Sequence, residues 1–277
     1  MIRKLWLKNE NGYRFDFTEY NQTLVTNVAG VGASIINNYV AYDNNYKKID
    51  DKIPLTSVNL TLVFMKGYLG FKNFSDYLFK SHTLMLFLST DVNTRYCYVH
   101  IGELPKTELK SNSLICDLKL EKTSLWLEDF TNIIEVNTDD VGKVYPHIFP
   151  FSFSDSNQGS IELENKGYKP APTIIQINGA VKNPILYLYQ NEELISSCRV
   201  FLETDNEYHK IIIDSRPNLQ KIVKHENQTI TNIYELQDFE RDNFLYLPVG
   251  RTKVVFDPGI LSSATCNIIF VESYLTS

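Results

Sequence analysis

Ser160-Ile-Glu-Leu-Glu-Asn165, Thr173-Ile-Ile-Gln-Ile177 with Asn178-Gly179 behind it, Leu186-Tyr-Leu-Tyr189, Ile211-Ile-Ile213 running into Asp214-Ser-Arg-Pro217, Phe244-Leu-Tyr-Leu-Pro-Val-Gly250 and Lys253-Val-Val-Phe256 succeed one another through the second half of the chain. Apolar side chains at alternate positions put one face of an extended strand against a core, and the Gly, Pro and Asn residues between the runs set the turns. Working outward from these runs predicts about nine or ten short strands beyond residue 142 and at most one helical turn, near Ile233 to Phe239, the pattern of an antiparallel β-sandwich. No cluster of reactive side chains interrupts it.

The first half is also mainly strand. Val58, Leu60, Leu62 and Phe64 alternate with Asn59, Thr61 and Val63, Leu84 to Leu88 is a continuous apolar run, and Cys97, Val99 and Ile101 alternate with Tyr96, Tyr98 and His100. Leu114 to Leu120 and Leu125 to Phe130 add two more strands. One helix is expected, over Gly70 to Ser81, because Phe71, Phe74 and Leu78 recur at spacings of three and four while Lys72, Asp76 and Lys80 point elsewhere. The apolar run Val58 to Phe64 is expected to form a strand edge that a neighbouring copy covers.

Between the halves, Thr138 to Phe151 carries Gly142, Pro146 and Pro150, and proline removes ladder donors. The chain therefore divides near residue 142, into a β domain with one helix at 1–142 and a β-sandwich at 143–277. A length of 277 residues suits two domains, each large enough for its own core.

With 43% hydrophobic and 22% charged residues, the composition is that of a globular protein. The net charge of −6 is spread evenly, so no basic stripe is available for a phosphate backbone and nucleic-acid binding is not expected. Met1 to Lys8 is too short for the apolar core of a signal peptide, and no segment reaches the roughly 18 apolar residues of a membrane span. Synthesis in the cytoplasm and no membrane partner are the resulting expectations. The 17 Tyr and 16 Phe suit half-buried sheets and partner interfaces. Cys97, Cys116, Cys198 and Cys266 are far apart with no Cys-x-x-Cys pair, and are read as reduced core residues.

Nothing in the chain predicts catalysis. His82, His100, His147, His209 and His225 show no metal-ligand spacing. Asp50-Asp51 and Asp139-Asp140 lie in turn-like segments where hydration explains a charge pair, and Asp214-Ser215-Arg216 reads as a strand-ending turn rather than a nucleophile. No nucleophile elbow or phosphate loop is present. Gly30 and Gly32 lack the third glycine and following helix of a dinucleotide site, and fit a bend or bulge in a strand. No catalytic residue, cofactor or metal is expected.

Two stretches together resemble the distal tail protein family of long-tailed bacteriophages. The first runs from Met1 through Tyr13-Arg-Phe-Asp-Phe17, Val25-Thr-Asn-Val-Ala-Gly-Val-Gly32, Ile53 to Phe64, Gly70-Phe-Lys-Asn-Phe-Ser-Asp-Tyr-Leu-Phe79, Thr83-Leu-Met-Leu86 and Leu104-Pro-Lys-Thr-Glu108 to Leu125-Trp126, and resembles the family's ring-forming domain. The second runs from Tyr145-Pro146 through Asn165-Lys-Gly-Tyr-Lys-Pro-Ala-Pro172, Ile177-Asn-Gly-Ala-Val-Lys-Asn-Pro184, Ile213 to Pro217 and Asn232-Ile-Tyr-Glu-Leu236 to Gly250, and resembles the family's galectin-like sandwich.

The resemblance implies a non-enzymatic virion protein at the distal end of the tail: a homohexameric ring joining the major tail tube protein to the tail-associated lysin or tail-fibre hub and to receptor-binding proteins. Asn27, Gly30, Gly32, Tyr39 and Tyr42, in and after the glycine-bearing segment, are the expected ring contacts. The competing reading of these five is a bend and loop within one monomer. The alternative function is a carbohydrate-binding module that recognises host-wall glycans through the sandwich. Against it, both tryptophans, Trp6 and Trp126, fall in the first domain.

Overall fold

A computed structural model describes residues 3–135, 158–205, 208–217, 219–260 and 264–277. The chain forms two compact units, residues 1–128 with 273–277, and residues 129–272. The expected division at 142, the Asp139-Asp140 pair and His147 lie outside the described residues.

The first unit is built from β1 (Lys4–Asn9), β2 (Arg14–Asp16), β3 (Thr23–Ala29), β4 (Ile36–Tyr42), β5 (Asn45–Lys52), β6 (Thr56–Phe64), α1 (Gly67–Phe79), β7 (Leu84–Ser89), β8 (Thr94–Glu103), β9 (Leu109–Lys110), β10 (Ser113–Lys122) and the start of β11 (Trp126–Glu135). Antiparallel pairing runs β3-β6-β10-β8-β7-β1-β2, with β10 paired to β6 from Leu114 to Lys122 and a register shift between Lys119 and Leu120 in its pairing with β8. Alternation then delivers one face to a single core: Leu5 and Leu7, Leu84, Leu86 and Leu88, Cys97 and Val99, and the even-numbered apolar residues of β6 and β10. The helix closes this core with Phe74 and Leu78, and Phe74 packs against Phe64 and Phe15 at ring separations of 5.6 and 4.9 Å.

The helix begins three residues before the expected Gly70. Tyr68 and Leu69 in its first turn are exposed, so the apolar periodicity starts only at Gly70. The expected free edge at Val58 to Phe64 is corrected: β6 pairs with β3 on one side and β10 on the other. Two-residue periodicity reports which face is buried, and carries no information about which strands end a sheet.

The second unit contains the end of β11, then β12 (Gly159–Asn165), β13 (Ala171–Asn178), β14 (Val181–Lys182), β15 (Ile185–Gln190), β16 (Glu193–Arg199), β17 (Glu203–Thr204), β18 (Lys210–Asp214), β19 (Lys221–Glu226), β20 (Thr229–Asn232), a 3-10 turn (Tyr234–Leu236), β21 (Tyr246–Leu247), β22 (Gly250–Asp257) and β23 (Thr265–Tyr274), whose last residues pass to the first unit. One antiparallel sheet runs β23-β13-β18-β19-β20 and the other β12-β22-β15-β16. Their inner faces meet in one core, with Ile175, Ile177, Ile211, Ile213 and Ile268 from the first sheet and Leu163, Leu186, Leu188, Val254 and Phe256 from the second. This is the two-layer sandwich that the alternating runs predict. Among the described residues, twelve strands after β11 exceed the nine or ten expected, because β14, β17 and β21 are two-residue ladders too short to show a period.

Buried polar groups fix the turns. Asp214 closes β18, and its carboxylate accepts from Arg216 Nε and Nη2 at 3.0 and 2.7 Å, while Ser215 Oγ accepts Leu245 N–H at 3.1 Å. Asn165, also buried, donates to the carbonyls of Lys169 and Leu247 and accepts Gly167 N–H, which shapes the loop between β12 and β13.

All four cysteines are free and buried. Desolvation pushes the thiols of Cys97 and Cys198 up to about 12, one in each core. An unfolded thiol ionises near pH 8.5, so above that pH the unfolded state loses protons that the folded state keeps. Stability contributed by these thiols is therefore complete below about pH 8.5 and falls as pH rises towards 12, by on the order of 1 kcal/mol per thiol per pH unit. Urea midpoints at pH 8 and pH 10 should show the loss, and a Cys198→Ala variant should lessen it in the second unit, where burial also raises Cys266.

Candidate self-association surface

Strands β4 and β5 form a separate two-stranded antiparallel ribbon, paired from Ile36 opposite Lys52 to Tyr42 opposite Asn45. The two-residue turn is Asp43-Asn44, where Asp43 takes a positive φ of 54° that Asp and Asn tolerate better than most residues. A register shift between Asn38 and Tyr39 leaves Ile49 as the extra residue of β5, a bulge that twists the ribbon.

Every residue of β4, and all of β5 except Asp51, is exposed. Along β4, Ile36, Val40 and Tyr42 lie on one face and Tyr39 and Ala41 on the other, where Tyr46 joins opposite Ala41. Tyr42 and Tyr46 are both 78% exposed. Apolar and aromatic side chains thus crowd both faces of a ribbon that buries almost none of them. The Lys48–Asp51 ion pair is solvent-exposed and contributes little. An isolated two-stranded ribbon is marginally stable in water at best.

The ribbon's base is anchored in the first unit. Gly30 follows β3 with φ of +84°, and a Cβ there would stand 2.0 Å from the Ser57 carbonyl oxygen, so only glycine fits. The next carbonyl, of Val31, accepts the indole N–H of the fully buried Trp126 at 3.1 Å. Gly32 faces open space.

A second exposed apolar area lies at the start of α1, where Met65, Tyr68 and Leu69 stand beside Leu109. Leu109 sits against Gly67, whose φ is +53°, and Tyr68 donates to Glu108 Oε2 at 3.2 Å beneath Lys106.

The structure separates the five expected contact residues into two groups. Tyr39 and Tyr42 stand on the ribbon, on opposite faces, and Asn27 is exposed on β3 beside its bulge. Gly30 has an internal reason for being glycine, and Gly32 is an exposed residue of the connecting loop. Ile36, Val40, Tyr46 and Ile49 belong to the same ribbon and are not among the five. Asp43-Asn44 between two extended runs is the sequence signal that marks them.

The described residues thus form a two-unit β protein with one α-helix and an exposed two-stranded ribbon. Residues 4–123 match the distal tail protein, N-terminal domain. The whole chain is similar in structure to a chain of the phage P2 baseplate in its activated conformation with Ca, at TM-score 0.68 and 14% identity over 97% of this chain and 98% of that one. It is similar also to the SPP1 Dit (gp 19.1) protein, a paradigm of hub adsorption apparatus in Gram-positive-infecting phages, at TM-score 0.63 and 10% identity over 98% and 99%. No curated protein matches at the sequence level. Residues 4–123 thus carry the N-terminal domain of the distal tail protein family, and the likeness of the chain to the two solved structures is one of fold.

Proposed function

We propose that this protein is a structural component of a phage tail tip, a homohexameric ring at the distal end of the tail. The domain of residues 1–142 closes the ring on the tail tube protein, and the galectin-like domain of residues 143–277 projects as a docking platform for the tail-associated lysin or fibre hub and the receptor-binding proteins. The β4–β5 ribbon supports this reading: exposed Ile36, Val40 and Tyr42 on one face and Tyr39 and Tyr46 on the other stand among lysines, aspartates and asparagines, and an isolated ribbon of this size is marginally stable.

A ring closes through a head-to-tail contact between two different surfaces. The ribbon supplies one, and the apolar area of Met65, Tyr68, Leu69 and Leu109 supplies the other. An obligate contact of this kind buries on the order of 2,000 Å² or more and is rich in aromatic residues. No chemistry is assigned to the ring, and its work is mechanical.

Light scattering and negative-stain imaging of the purified chain test the proposal. The expected result is six chain masses in a six-fold ring. A strict monomer at high concentration, alone and with tail proteins present, overturns it.

One observation favours carbohydrate recognition as a second reading. Leu186 and Leu188 of β15 point into the core, which turns Tyr187 and Tyr189 outward, with Arg241 5.9 Å from the Tyr187 ring. A glycan array probed with the full chain separates the two readings, and binding lost in Tyr187→Ala with an intact ring would add a sugar-binding role to the structural one.

A further inference from the structure

The last residues of the chain, Tyr274 to Ser277, belong to the first unit and end on the base of the ribbon. Ser277 N–H donates to the Val31 carbonyl at 3.3 Å, the same oxygen that receives Trp126 Nε1–H at 3.1 Å. Arg95 holds this peptide in place. Its Nη1 donates to the Thr276 carbonyl at 3.0 Å, its guanidinium lies 3.5 Å from the Tyr274 ring centroid, and its Nε donates to Glu128 at 3.2 Å. The Arg95 side chain is only 14% exposed, so the guanidinium is committed to these partners.

Val31 is the last partly buried residue before the ribbon, since residues 32 to 40 are all exposed. On the return side the chain is next fixed where Thr56 of β6 pairs with Lys122 of β10. The direction in which the ribbon leaves the unit is therefore set at two points. One of them, Val31, is clamped by a fully buried tryptophan and by the C-terminal peptide.

We infer that residues Tyr274–Ser277 are a strap, anchored by Arg95, that fixes the base of the ribbon and so orients it for self-association. This rests on the ribbon being the self-association surface. Arg95 is a positioning residue: it acts on the ribbon through Thr276, Ser277 and Val31, and touches no partner itself. A ribbon free to swing at its base would lose orientational entropy on docking that a strapped ribbon has already lost, so association weakens without any change in the contact surface.

Three variants remove the strap in different ways. Deleting Tyr274–Ser277 takes it all away, Arg95→Ala releases its anchor, and Ser277→Pro deletes only the N–H that reaches Val31. Hydrogen exchange is read at the Trp126 indole N–H, which donates to the Val31 carbonyl, with the amides of the Val58–Phe64 strand as the control for folding. It is measured in chains whose ribbon is charged by Tyr42→Asp and Ile49→Lys, so that assembly cannot protect the base. Strap removal should raise exchange of this indole N–H about tenfold, with a smaller rise for Ser277→Pro, and leave β6 unchanged. In the uncharged chain the same deletions should raise the concentration needed for assembly about tenfold.

Unchanged exchange of the Trp126 indole N–H in all three variants overturns the strap. Faster exchange there with assembly unaltered overturns its role in orienting the ribbon. If the unmodified chain never assembles, the ring proposal fails while the exchange measurement still decides whether the strap exists. Should the deletion also loosen β6, exchange in Ser277→Pro and Arg95→Ala decides between these outcomes.

Discussion

Tyr42→Asp combined with Ile49→Lys is expected to turn the assembled protein into monomers while each chain stays folded. Both side chains are exposed in the single chain, where surface substitutions usually change stability by no more than about 0.5 kcal/mol. In the ring the same positions would be covered, and an uncompensated charge in an apolar contact costs about 3 kcal/mol or more. That corresponds to at least about a hundredfold weaker association per contact. Sedimentation velocity across a concentration series reads the effect, and Tyr42→Phe, which keeps the apolar ring, should assemble as the parent does. An unaltered assembly carrying both charges would remove the ribbon from the interface altogether.

The second large effect is on stability. Trp126 is wholly buried in the first core, with Lys122 Nζ 5.7 Å from its ring and its N–H on the Val31 carbonyl. Trp126→Ala should destabilise the first unit by about 3–5 kcal/mol, the range for truncating a buried aromatic and leaving a cavity. Trp126→Phe keeps most of the burial and loses the donor, so its cost should be about 1–3 kcal/mol. Both tryptophans of the chain lie in the first unit, so Trp6 fluorescence reports that unit alone in these variants, while circular dichroism follows both. The expected record is a fluorescence transition moved to lower urea with part of the dichroism transition unmoved. If Trp126→Ala unfolds no earlier than the parent, the packing described for this core is wrong.

Much of the fold is legible because burial imposes periods on the chain. Phe71, Phe74 and Leu78 announce the helix, since a helix with one face on a core must repeat its apolar residues at three and four. The two-residue alternation of Val58 to Phe64 and of Thr173 to Ile177 announces strands for the same reason. Asp214-Ser-Arg-Pro217 is legible as a strand-ending turn, and the structure gives the buried carboxylate and hydroxyl that make it one. The ribbon is much less legible. Ile36-Asn-Asn-Tyr-Val-Ala-Tyr42 and Asn45-Tyr-Lys-Lys-Ile-Asp-Asp-Lys52 bury nothing within the chain, so neither carries a clean period, and only their turn marks them. Tyr39 and Tyr42 could be singled out as contacts, but not the strands that hold them or the faces they occupy.

Sequence alone determined the secondary structure wherever a residue's neighbours two, three or four positions away decide whether it is buried. It determined also the mainly β class, the single helix and the sandwich. Tertiary structure alone decided what depends on residues far apart in the chain. It showed β6 to be an interior strand, gave Gly30 its reason in the distant Ser57 carbonyl, and brought Ser277, Trp126 and Arg95 to the base of the ribbon. Local periodicity records which side of an element faces the core, whereas the identity of the neighbour across a sheet edge or a carbonyl is settled only when the whole chain has closed.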